Sequence, residues 1–126
     1  MAMDAPPYFI KAVRSHLPLT ITRAVLDENG LLIGGDGWVF ATESAWRFAS
    51  QRGFEFGSGS EVAPAQIDSL VGQSITAAYP FGTASLDPSF VLSGGMIFEH
   101  FSTTDFEPWE LRLPGNVTII ADGTGA

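Results

Sequence analysis

Leu31-Leu32-Ile33-Gly34-Gly35-Asp36-Gly37-Trp38-Val39-Phe40-Ala41-Thr42 is the stretch whose reading decides the fold of this chain. Two short apolar runs, Leu31–Gly34 and Trp38–Thr42, flank the glycine-rich turn Gly35-Asp36-Gly37. Glycine supplies the positive φ of a tight turn, and branched and aromatic side chains suit a pleated surface, so the stretch predicts an antiparallel hairpin.

The same pattern spreads in both directions. Strands are predicted over Thr20–Leu26, Trp46–Ser50, Phe54–Gly57, Ser74–Tyr79, Ser89–Leu92, Met96–Phe101, Trp109–Leu113 and Val117–Ala121, with further turns at Glu28-Asn29-Gly30, Arg52-Gly53, Ser93-Gly94-Gly95 and Pro114-Gly115-Asn116. Helical spacing occurs twice. Ile10, Val13 and Leu17 follow a Pro-Pro start at Pro6, and Ile67, Leu70 and Val71 follow Pro64.

Each helix precedes about five strands, which suggests an internal repeat over 6–57 and 63–121. A shift of 54 residues lays Val13–Leu17 on Ile67–Val71 and Thr20–Val25 on Ser74–Tyr79. A shift of 63 lays Trp46-Arg47-Phe48 on Trp109-Glu110-Leu111 and Phe54–Phe56 on Val117–Ile119. The longer segments Pro80–Pro88 and Ser102–Pro108 of the second half take up the difference. The predicted class is α+β and β-dominated: two helix-plus-antiparallel-strand units related by pseudo-twofold symmetry around one core, in a single domain over residues 1–126. The short linker Gly57-Ser58-Gly59-Ser60 joins the units.

With 126 residues, 45% of them apolar, the chain can close a core without a staple. It has no cysteine, which excludes disulfides, thiolate nucleophiles and sulfur-rich zinc or iron–sulfur sites. A net charge of −8 repels phosphate backbones and anionic lipid, so nucleic acid and membrane partners are disfavoured and a basic protein partner is favoured. The sequence shows neither a signal peptide nor an apolar run long enough to span a bilayer, and the expected location is cytoplasmic.

Catalytic motifs are missing from the sequence, and the expectation is a protein that is not an enzyme and takes no cofactor or metal. Gly34-Gly35-Asp36-Gly37 opens a strand where a phosphate loop opens a helix, and Asp27-Glu28-Asn29-Gly30 lacks the spacing of a calcium loop. Asn116-Val117-Thr118 matches a glycosylation acceptor but, without a secretion signal, carries no information. Period two groups Met96, Phe98 and His100 on one face and Ile97, Glu99 and Phe101 on the other, which predicts a central strand covered on both sides. On that strand His100 is expected to be half-buried and hydrogen-bonded, and Glu99 to need Arg47 or Arg112. His100 with Glu99 or Asp87 is the first combination to test should the chain be an enzyme.

Trp46 and Trp109 fall at equivalent repeat positions and read as scaffold. Trp38 has no aromatic counterpart and is the better candidate for a surface or pocket aromatic. The loop Thr103–Pro108 belongs to the second unit only, and its Asp105, Phe106 and Glu107 form an acidic-aromatic patch suited to a basic partner. Phe81 to Pro88, with Asp87-Pro88 as a turn, is a second asymmetric segment that would wall a cleft. The candidate binding residues are therefore Trp38, Phe81, Asp87, Asp105, Phe106 and Glu107.

Leu70–Ile75, Asp87–Leu92, Gly94–Ser102 and Glu107–Leu111 carry a pattern that resembles a group of small bacterial β-rich proteins, some of immunity type. The resemblance implies a bacterial β-rich domain that neutralises a toxin by binding it, and brings no active site with it. Two functions follow as expectations: a non-catalytic inhibitor of a basic protein partner, or a domain holding a small apolar ligand between the units against Trp38, Phe81 and Phe106.

Overall fold

A computed structural model describes residues 8–81, 87–101 and 109–120. Eleven strands and two short helices succeed one another among them. Helix α1 (Tyr8–Arg14) leads into β1 (Leu19–Thr20), β2 (Arg23–Asp27), β3 (Gly30–Gly35), β4 (Trp38–Thr42), β5 (Ala45–Ser50) and β6 (Gly53–Gly57). Helix α2 (Pro64–Asp68) leads into β7 (Ser74–Phe81), β8 (Asp87–Leu92), β9 (Ile97–Phe101), β10 (Trp109–Leu113) and β11 (Val117–Ile120). No described helix is long and apolar enough to cross a membrane.

The strands form two antiparallel sheets, ordered β1-β7-β8-β9-β5-β6 and β11-β10-β4-β3-β2. The decisive hairpin appears as β3 and β4, paired from Leu31 opposite Thr42 to Gly35 opposite Trp38. Neither sheet is built from one half of the chain. The meander β7-β8-β9 is extended by the hairpin β5-β6, and the meander β2-β3-β4 by the hairpin β10-β11. The helices cross over too, α1 lying against β7 and α2 against β2.

Alternation along the strands sends one row of each sheet inward. Phe40 of the five-stranded sheet meets Phe90 and Phe98 of the other edge-on, each at 5.6 Å between ring centroids. Phe48 lies 5.1 Å from Phe98 and stacks on Phe56 at 4.8 Å. Such ring pairs contribute about 0.5–1.5 kcal/mol each beyond the area they bury. Helix α1, too short to be stable alone, buries Phe9, Ile10 and Val13, and its Phe9 packs against Trp109 at 5.0 Å.

The structure corrects several sequence readings. The predicted strand Thr20–Leu26 is interrupted at Ile21-Thr22, whose backbone leaves the ladder: the Ile21 N–H donates to Gln73 O and the Thr22 N–H to Gly34 O. Both helices end before their apolar spacing suggested, α1 at Arg14 and α2 at Asp68. Pro80, Phe81, Asp87 and Pro88, expected in a loop, pair as strand residues at the far end of β7 and β8. The strand β9 is central in its sheet but covered on one side only, since Ile97 is exposed and Glu99 and Phe101 are half-exposed.

Gly30 has φ 112, and a Cβ there would collide with the backbone carbonyl of Thr42. Gly53 has φ 105 with open space around it. Gly53→Ala should therefore cost only backbone strain, about 1 kcal/mol, whereas Gly30→Ala adds a clash and should cost about 3 kcal/mol or more. Urea unfolding followed by tryptophan fluorescence measures both; equal costs would show that the β3–β4 pairing gives way easily at Thr42.

Candidate functional site

His100 is completely buried and is tied at both ring nitrogens. Its Nε2 lies 2.6 Å from Thr42 Oγ1 and its Nδ1 2.9 Å from Asp87 Oδ1. The Ser44 N–H donates to the same Thr42 oxygen at 2.9 Å. One arrangement of protons satisfies every atom: Nδ1–H donates to the carboxylate, Nε2 accepts the hydroxyl proton, and the hydroxyl oxygen accepts from Ser44. Thr42 belongs to the five-stranded sheet and His100 and Asp87 to the six-stranded one, so the chain of contacts ties the sheets together.

A hydroxyl, an imidazole and a carboxylate in this order are the parts of a nucleophilic triad. Here Thr42 is only 4% exposed and His100 is wholly enclosed, with the ring of Phe40 at 5.7 Å, so the hydroxyl has no open side for a substrate. The cluster therefore acts as a structural tie. His100 is hydrogen-bonded as its strand position predicted, and more deeply buried. Among the described residues no group of three or more His, Asp and Glu side chains is placed to hold a metal.

The candidate residues separate. Trp38, expected at a surface or pocket, is a core residue, 5% exposed, and its indole N–H donates to Thr20 O at 3.0 Å. Phe81 is half-buried and meets the edge of Phe101 at 5.1 Å, in the other sheet from Trp38, so the two aromatics do not form one cleft. Asp87 serves His100. Asp105, Phe106 and Glu107 lie outside the described residues. Glu99 finds Arg47, at 2.6 Å, and Arg112 takes Glu110 instead.

A groove that sequence reasoning missed lies on the outward face of the five-stranded sheet, with a volume of about 460 Å³. One row of residues crosses all five strands beneath it: Val25 opposite Leu32, Leu32 opposite Ala41, Ala41 opposite Glu110, and Glu110 opposite Ile120. Asp27 and Glu43 add carboxylates at the end nearer the β2–β3 turn, and Arg23 is the single cation of the lining. Trp109 borders the groove with its ring turned to the core against Phe9 and Phe40, where its Nε1 is the one buried side-chain polar atom without a hydrogen-bond partner among the described residues. The signal available in the sequence was weak: Val25-Leu26 and Ile119-Ile120 break the alternation, giving edge strands apolar residues on both faces.

Removing the tie should be costly. His100→Ala leaves a cavity and removes two hydrogen bonds and is expected to lose about 3–5 kcal/mol in urea unfolding; Thr42→Val, which removes the acceptor of the Ser44 N–H and the hydroxyl at Nε2, about 2 kcal/mol. The double variant should lose less than the sum, since both remove one shared contact. Full additivity would show that Thr42 and His100 do not act together.

Compared with known proteins, the chain matches no family, no curated protein and no solved structure, so the reading of its function rests on its own residues.

Proposed function

We propose that this chain is a non-catalytic binding protein, an inhibitor of immunity type that holds a basic protein partner, and that it is built from two copies of one unit which exchange their last hairpins. The groove on the five-stranded sheet carries the functional reading. Its apolar floor lies open to solvent and three carboxylates line it against one arginine, on a chain of net charge −8. Exposed apolar surface bounded by charge of one sign is what a binding face for an oppositely charged partner requires.

The duplication rests on register. Replacing β2, β3, β4, β10 and β11 by β7, β8, β9, β5 and β6 converts the order of the five-stranded sheet into that of the other without its edge strand β1. Ala24 faces Ile33 as Ala78 faces Phe90, and Trp109 faces Thr42 as Trp46 faces His100. Counterpart residues meet each other twice, Thr20 Oγ1 at 3.1 Å from Ser74 Oγ and Thr42 at His100, as residues beside a twofold axis do. The exchange of hairpins and helices explains why one unit cannot bury its own sheet.

Duplicated scaffolds acquire function where the copies differ, and the groove is such a place. The row Val25, Leu32, Ala41, Glu110 and Ile120 corresponds to Tyr79, Ser89, Glu99, Arg47 and Gly57 on the other sheet. There the Arg47–Glu99 pair spans the row, Arg47 covers Phe101 at 5.0 Å, and Arg14 covers Tyr79 at 5.4 Å. One face is thus closed over itself and the other is open.

The test is direct binding to a purified partner. The chain should form a stoichiometric complex with a basic protein of its native host in titration calorimetry, leave that partner chemically unchanged, and associate on the order of tenfold more slowly at physiological than at low salt. An association rate indifferent to salt, or covalent change in the partner, would sink the reading.

A further inference from the structure

Resting on that reading, we infer that the groove takes a short basic segment of the partner, with lysine or arginine stems along Val25, Leu32 and Ile120 and cationic heads at Glu43 and Glu110. Two independent features of the groove call for these two parts.

The floor is aliphatic and spans five strands, with Val25 40% and Ile120 44% exposed. It therefore suits methylene stems, which long basic side chains lay along apolar surface while their heads stay at its polar edge. The rim is acidic and only partly neutralised. Glu43 is exposed beside the end of β4, and Glu110 has only the exposed Arg112, 2.9 Å away, as a rival. Exchange of one exposed ion pair for another costs little, because each contributes about 0.2–1 kcal/mol. Asp27 is held back from this role, since its Oδ1 accepts the Asn29 N–H at 2.8 Å and shapes the turn.

An acidic peptide fails on charge, and an uncharged apolar ligand leaves the carboxylates without a counterpart. The volume, about 460 Å³, exceeds one side chain and fits a few residues.

The probe is a blocked peptide alternating leucine and arginine, with glutamine and glutamate counterparts, titrated into the isotopically labelled full chain and followed by nuclear magnetic resonance. The arginine peptide should move the amides of Val25, Leu32, Ala41 and Ile120, leaving the indole signals of Trp38 and Trp46 in place. The glutamine peptide should bind about fivefold more weakly or less, and the glutamate peptide not at all. Glu43→Gln with Glu110→Gln should weaken the arginine peptide about three- to tenfold, whereas Glu61→Gln with Asp68→Asn, the same loss of charge elsewhere, should change it less than twofold. Equal binding of the glutamine peptide would make the groove a site for an uncharged apolar ligand and overturn the proposal, as would shifts centred on Tyr79 and Arg47. If the partner protein binds both double variants equally, this site falls while the binding reading stands; if the peptide binds here but the host supplies no basic partner, the reverse holds.

Discussion

Each sheet in this protein is completed by a hairpin from the other half of the chain, and the pairings of β4 with β10 and of β5 with β9 are where that happens. A three-stranded meander buries one face poorly, and two of them side by side would leave long open edges. Adding a hairpin across the chain widens both sheets and makes neither half separable. The aromatic core then forms between the widened sheets, with Phe40, Phe90 and Phe98 meeting edge to face at its centre. The Thr42–His100–Asp87 tie lies beside these same strands, so the polar contact and the ring contacts hold one junction.

The two outward faces have been used differently. On the six-stranded sheet, charged and aromatic side chains satisfy one another: Arg47 serves both Glu99 and Phe101, and Phe81 packs on Phe101. On the five-stranded sheet, Val25, Leu32, Ala41 and Ile120 form an outward row, with Glu110 paired to Arg112 and the exposed Glu43 near its end. Surface ion pairs add little to stability, so this contrast matters less for folding than for what each face offers to a partner. A face closed over itself has little left to give. The open face keeps its apolar area and its charge available.

Much of the fold was legible because a strand pattern is a local signal. Trp38–Thr42 and Trp109–Leu113 appear at the predicted bounds, and the glycine turns fall where positive φ is needed. Trp46 and Trp109 were readable as scaffold from their matched positions, and both are buried. His100 was readable as hydrogen-bonded from its apolar neighbours. The break at Ile21-Thr22 was not legible, because it depends on carbonyls of Gln73 and Gly34 brought in from other strands. Trp38 was misjudged for a similar reason: its hydrogen bond to Thr20 exists only once β1 and β4 are folded together.

The sequence by itself determined most of the elements, the alternation that turns residues inward and the sign of the charge, since alternation, turn chemistry and composition are properties of neighbouring residues. Only the tertiary structure decided which strands share a sheet, which carboxylates remain free, and that five residues from five strands line one groove. Those outcomes depend on register between segments far apart in the chain, where a shift of one residue would turn every side chain to the opposite face.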